Sequence, residues 1–183
     1  KINPNGVVPS LVYNGDIIIE STVIMEFLDE IFPENSLKPS NPKFVARMRL
    51  WNKKLDEGIH SALSVISSSI AFRYQILENK TLDEVNRSIN LIPDIQRREL
   101  MKETIFNGVN SELFPKAIKT FDDLFYEMDQ YLESNEWLAS EKYSLSDAAF
   151  TPYLTRFEHL NLSLLFKNRV NLTNWFIKIK KRQ

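Results

Sequence analysis

Few side chains in this sequence could do chemistry by themselves. There are no cysteines, which removes disulfides, thiolate metal sites and a cysteine nucleophile from these residues. His60 and His159 are the two histidines. Neither stands in a His-x-x-His or HExxH spacing, so no metal is expected. Ser144 and Asp147 occur in "SLSD", which reads as a helix capping box and not as a nucleophile with its base. What remains is a short constellation near the start, Val8-Pro9 followed by Glu20-Ser21. Ser21, just ahead of "TVIMEFLDEIF", is a natural N-cap, because its hydroxyl can accept from a first-turn amide. Glu20 alone reads as a surface acid, and Pro9 alone as a proline at a strand's start or on an edge.

The elements that must position these residues can be read from local pattern. "VVPSLVY" and "DIIIE" are β-branched, apolar runs joined by Asn14-Gly15, the strongest short hairpin signal. In the next segment Val23/Ile24, Phe27/Leu28 and Ile31 recur at helical spacing, and Pro33 ends that helix. Residues 33–42, "PENSLKPSNP", carry three prolines and have the composition of a linker. We expect domains at 1–33 and 43–183, with a linker over 34–42.

From 43 onward the pattern is helical. A long segment repeats Val45, Met48, Trp51/Asn52, Leu55, Ile59, Leu63 and Ile66, with Gly58 and the serines at 67–69 as places where it could bend. "TLDE" at 81–84 is a capping box. Pro93 is expected to start a helix through about 107, Pro115 sits near the start of one to about 133, and the last helix begins near 171. The expected fold is therefore mainly α with a small α/β part, a β-β-α piece followed by a bundle of five to seven helices.

Bulk composition narrows the function classes. Hydrophobic residues make up 43 % and charged residues 26 %, ordinary for a chain that buries a core. With 23 basic and 24 acidic side chains and a net charge of −1, neither nucleic acid nor a charged membrane surface is an expected partner. The basic "KIKKRQ" end reads as a solvated helix terminus. No apolar run approaches the roughly 20 residues that a membrane helix needs. A cytoplasmic setting is the expectation.

Taken together, "NPNGVVPSL", "ESTVI", Trp137-Leu138 and Ser144, Asp147 and Pro152 resemble the cytosolic glutathione S-transferase superfamily, in order and spacing and over essentially the whole chain. The stretch "RLWNKKLDEGIHSA", with "IAFR" after it, is similar to bacterial members near the β-etherase and reductive-dehalogenase branches. The resemblance implies the second half of a thioredoxin-like domain followed by an all-α domain, with the first half expected ahead of Lys1. A hairpin alone would leave an unpaired sheet edge.

The resemblance also implies roles. A cis Val8-Pro9 peptide would let the Val8 backbone pair with the cysteinyl part of glutathione in strand fashion. Ser21 would take the γ-glutamyl carboxylate at a helix N-terminus, and Glu20 the γ-glutamyl ammonium. Lys1 matches a basic residue that some classes pair with the glycine carboxylate. Glutathione is the implied cosubstrate, a small hydrophobic electrophile its partner, and a homodimer the implied assembly. An acceptor pocket would be lined by the first long helices, including Trp51, Lys54 and Leu55, with His60, Phe72 and Arg73 on the same stretch. The catalytic Tyr, Ser or Cys of the family has no counterpart in these residues. A non-catalytic interaction or regulatory module of the same fold is the alternative.

Overall fold

The computed structural model describes residues 2–3 and 6–182; Lys1, Pro4, Asn5 and Gln183 lie outside the described residues. Strands β1 (Ser10–Tyr13) and β2 (Asp16–Ile19) pair antiparallel, with Ser10 opposite Ile19 and Val12 opposite Ile17. Asn14 and Gly15 have φ of 51° and 92°, as a two-residue hairpin turn of the primed type requires. One face of this ribbon packs on helix α1 (Ser21–Ile31), where the Tyr13 and Phe27 rings meet edge-on at 5.2 Å. On the other face Val12 and Ile17 stay 54 % and 51 % exposed.

After α1, a single turn of 3₁₀ helix at Pro33–Asn35 starts the connection. Asp29 holds its far end, accepting from the Ser36 hydroxyl at 2.6 Å and the Lys38 amide at 3.2 Å. Helix α2 (Pro42–Lys54) is capped by Asn41, whose side chain accepts from the Lys43 amide. It runs through a π-helical turn, Leu55–Ile59, into α3 (His60–Ser67), and through a second, Ser68–Phe72, into α4 (Arg73–Glu78). The two irregular turns fall at Gly58 and at the serine run, the places where the sequence pattern weakens. Gly58 has φ of 130°, which an L side chain resists.

The rest is α5 (Leu82–Asn90), α6 (Ile95–Asn107), α7 (Leu113–Leu132), α8 (Leu145–His159), α9 (Leu164–Lys167) and α10 (Val170–Lys180). Thr81 and Glu84 form the expected capping box on α5. The start of α6 differs from expectation: Asp94, not Pro93, is its cap, because the Asp94 carboxylate accepts from the Arg97 amide at 2.7 Å. Pro152 lies inside α8, where the Thr151 hydroxyl donates to the Asp147 carbonyl at 2.7 Å.

The main core lies between the α2–α4 rod, α7, α8 and α10. Phe121, Phe125, Phe150, Phe157, Phe166 and Trp175 are among its most deeply buried large side chains, and the Phe121 and Phe157 rings approach to 4.6 Å. Burying each such ring favours the fold by about 1.5–3 kcal/mol. A second cluster of Met48, Ala139 and Leu145 takes in Met25 of α1 and Leu37. It ties the β-β-α piece to the bundle by apolar contact. The fold is thus mainly α, with a small β-β-α unit and a C-terminal helical bundle.

Candidate functional site

The register that sets Ser10 opposite Ile19 brings the residues before β1 and after β2 to one end of the hairpin. Val8-Pro9 and Glu20-Ser21 therefore sit side by side. The Val8-Pro9 peptide is cis. Val8 is 90 % exposed and precedes the strand ladder. Beneath it Asn3, only 8 % exposed, donates from Nδ2 to the Val7 carbonyl at 3.0 Å.

The start of α1 corrects one expectation. Glu20, not Ser21, occupies the N-cap position, with φ 70° and ψ 117° and no side-chain capping bond. The first intrahelical bond runs from the Ile24 amide to the Glu20 carbonyl at 2.9 Å. The amides of Ser21, Thr22 and Val23 thus precede the helical ladder and point out of the helix end. Both Glu20 and Ser21 are exposed. A carboxylate beside three free amides at a helix's positive end is an arrangement that can take both ends of an amino-acid zwitterion. Lys1 lies outside the described residues.

Trp51, Lys54 and Leu55 are placed differently from one another. Trp51 and Leu55 lie in the core, 5 % and 4 % exposed. The Trp51 ring meets Tyr131 edge-on at 5.4 Å and Phe150 at 5.7 Å. Lys54 is half-exposed, pairs with Glu127 at 2.9 Å and lies 5.5 Å over the Trp51 ring.

A polar strip, of which the sequence reading named only His60, runs along the seam between α3 and α8. His60, Ser64 and Ser67 fall at i, i+4 and i+7 on α3, and Tyr153 and Arg156 at i and i+3 on α8, so each set shares a face. His60 Nδ1 lies 3.4 Å from the Tyr153 hydroxyl, and Arg156 Nε donates to the Ser67 hydroxyl at 3.0 Å. Burial, with the Asp56 charge adding to it, pushes the Tyr153 hydroxyl up to about 12. The signal for this strip in the sequence is the 3–4 spacing alone, which also describes a core face.

Ser144 and Asp147 act on the fold. Asp147 is fully buried. Its Oδ1 accepts from the Leu138 amide at 2.9 Å and Trp175 Nε1 at 2.8 Å, and its Oδ2 from the Ser144 amide and hydroxyl at 2.9 and 2.7 Å. Burial raises its carboxyl pKa, and the four donors pull in the opposite direction. Among the described residues no group of His, Asp and Glu is arranged to hold a metal ion, and no helix is long and apolar enough to cross a membrane.

Comparison with known proteins accounts for this arrangement. Residues 1–36 match the glutathione S-transferase N-terminal domain family, and residues 97–182 match the glutathione S-transferase C-terminal domain family. The chain is 32 % identical over 149 residues to protein LigF of Sphingobium sp. strain NBRC 103272 / SYK-6, covering 80 % of this chain and 58 % of LigF. It spans, then, less than two thirds of that relative's length. It is 35 % identical over 80 residues to glutathione S-transferase U7 of Arabidopsis thaliana, covering 43 % of this chain and 35 % of that protein. The crystal structure of the β-etherase LigF from Sphingobium sp. strain SYK-6 superimposes with a TM-score of 0.87 at 26 % identity, over 99 % of this chain and 76 % of that one. With matches to both of its domains, in the order and fold just described, the chain belongs to the glutathione S-transferase superfamily, near LigF.

Proposed function

We propose that the protein binds glutathione at the hairpin end and uses its thiol on a small, hydrophobic, aromatic electrophile. The observation that carries this reading is the start of α1. There the amides of Ser21, Thr22 and Val23 have no hydrogen-bond partner among the described residues and lie beside Glu20, next to the exposed Val8. The γ-glutamyl carboxylate would accept from the Ser21 amide and hydroxyl, its ammonium would donate to Glu20, and the cysteinyl amide would pair with Val8. Pro9 borders that backbone, and Lys1 would add a cation for the glycine carboxylate. The division into residues 1–33 and 43–183, with the linker over 34–42, sets the hairpin end beside the helical bundle in this reading.

The similarity to the β-etherase LigF favours cleavage of an ether. The glutathione thiol would lose its proton, and the thiolate would attack the carbon bearing the ether oxygen. A carbon–sulfur bond forms as the carbon–oxygen bond breaks. The electron pair leaves on the oxygen, which takes up a proton from water. Holding the thiolate next to the acceptor supplies effective concentration. A cytoplasmic setting and a homodimer complete the reading; exposed Phe32 after α1 and Leu50 on α2 support the latter. A strictly monomeric mass in light scattering would remove the dimer.

Calorimetric titration with glutathione tests the site. Removing one charge-assisted partner in Glu20→Ala should weaken binding about tenfold or more, as expected for roughly 1.5–3 kcal/mol. No binding by the unaltered chain, or equal binding by Glu20→Ala, overturns the proposal.

A further inference from the structure

The strip between α3 and α8 holds an arginine whose hydrogen-bonding capacity the protein leaves partly unused. Arg156 Nε donates to Ser67 Oγ at 3.0 Å. Its Nη2 is buried and has no hydrogen-bond partner among the described residues. Among the described residues no carboxylate lies within ion-pair distance of it, although nine other pairs form elsewhere on the chain. Its guanidinium instead lies 4.9 Å from the centre of the Phe72 ring, and Phe72 is 41 % exposed. The strip opens to solvent through the exposed His60.

These features fit one class of ligand. A guanidinium presents a planar fork that matches a carboxylate, and it keeps its charge when partly buried. With Nε held by a neutral hydroxyl, the fork has its orientation fixed but its charge unmatched. A phosphate dianion would call for further cations, and Arg156 is the single cation on the strip. Phe72 offers a flat apolar wall against which an aromatic ring can stack, and a turn of this half-exposed side chain would uncover Nη2. One turn along α8, the Tyr153 hydroxyl keeps its proton throughout the neutral range and can donate a further bond.

We propose that this strip is the acceptor subsite and that it selects an aromatic carboxylate. Arg156 would bind the carboxylate, Phe72 would stack on the ring, and Tyr153 and His60 would flank it. Calling the ligand an acceptor rests on the glutathione reading above; its binding to the strip does not.

The test is therefore run on the full chain without glutathione. Benzoate, its uncharged counterpart benzamide, and acetate are titrated calorimetrically. Benzoate should bind at least tenfold more tightly than either benzamide or acetate, which separates the ring from the bare charge. Arg156→Met should bring benzoate down to the level of benzamide, and Arg156→Lys should fall between. Phe72→Ala should weaken benzoate while leaving acetate unchanged. Equal binding of benzoate and benzamide, or of benzoate to the folded Arg156→Met variant and the unaltered chain, overturns the subsite. Should Arg156→Met fail to fold, the benzoate-to-benzamide ratio of the unaltered chain and the Arg156→Lys result decide. Glutathione is titrated separately: a chain that binds benzoate through Arg156 but not glutathione upholds the subsite and removes the glutathione reading.

Discussion

Glu20 combines a demanding backbone with an exposed acid. Its φ of 70° is a region that L side chains rarely occupy, at a cost of about 1–3 kcal/mol. Glycine would occupy it freely. Glu20→Gly is therefore expected to raise stability by about 0.5–1 kcal/mol and, by removing the carboxylate, to weaken glutathione about tenfold. Thermal melting and calorimetry read the two effects separately. A variant that melts earlier than the parent would show that the side chain, not the backbone, governs this position. Asp147 is the opposite case, a buried acid that serves the fold. Four donors converge on its two oxygens. Asn would turn a donor toward some of them, so Asp147→Asn should cost about 2–4 kcal/mol. Because burial raises this carboxyl, its titration contributes stability at pH below the ordinary carboxylate range. That contribution is lost as the pH rises through the raised value. Asn cannot titrate, so the loss measured by urea unfolding should be larger at about pH 4 than at about pH 7. A pH-independent difference would contradict this.

At the scale of elements, the hairpin, the body of α1, the cap of α5 and both bends of the α2–α4 rod were legible, because each follows from residues within one turn of one another. Where they were misread, a neighbouring group won. Asp94 displaced Pro93 as the start of α6 because it offers an acceptor that proline lacks, and Glu20 took the cap position expected of Ser21. The end of α6 shows a contact that sequence does not announce. Gly108, with φ of 57°, lets Arg73 lie against the chain, and a Cβ there would come within 2.5 Å of Arg73 Nη1. Arg73 uses that approach to donate from Nε to the Ile105 carbonyl at 3.1 Å and from Nη2 to the Phe106 carbonyl at 3.3 Å. Gly108→Ala should disturb both bonds and strain the backbone, destabilising by about 1–3 kcal/mol in urea. An unchanged midpoint would show that Arg73 relaxes at no cost.

For the molecule as a whole, the bundle core decides how the protein responds to alkali. Tyr153, 9 % exposed and pushed up to about 12, resists ionisation in the fold more than in the unfolded chain. Its contribution is present below the ordinary tyrosine value near 10 and declines as pH rises through 12. An ultraviolet tyrosinate titration should show a late phase that Tyr153→Phe removes. A titration completed near the ordinary value would contradict the burial. The meeting of Val8-Pro9 with Glu20-Ser21 at the hairpin end was legible because these residues lie within one hairpin and one helix start. Of the strip on α3 and α8 only His60, with Phe72 beyond it, was named from the sequence. Its pairs join residues 93 and 89 positions apart, His60 to Tyr153 and Arg156 to Ser67.

The sequence by itself determined the turns, caps and periodic faces, and through them the mainly α fold and the Val8-Pro9 and Glu20-Ser21 constellation. These depend on backbone geometry and on side-chain bonds to amides a few residues away. Only the tertiary structure decided that Trp51 and Leu55 belong to the core, that Trp175 reaches Asp147, and that Arg156 keeps an N–H without an acceptor. A 3–4 spacing marks a helix face as inward but does not say what meets it. Which groups pair, and which remain unpaired, is settled only when α8 packs against the rod and α10.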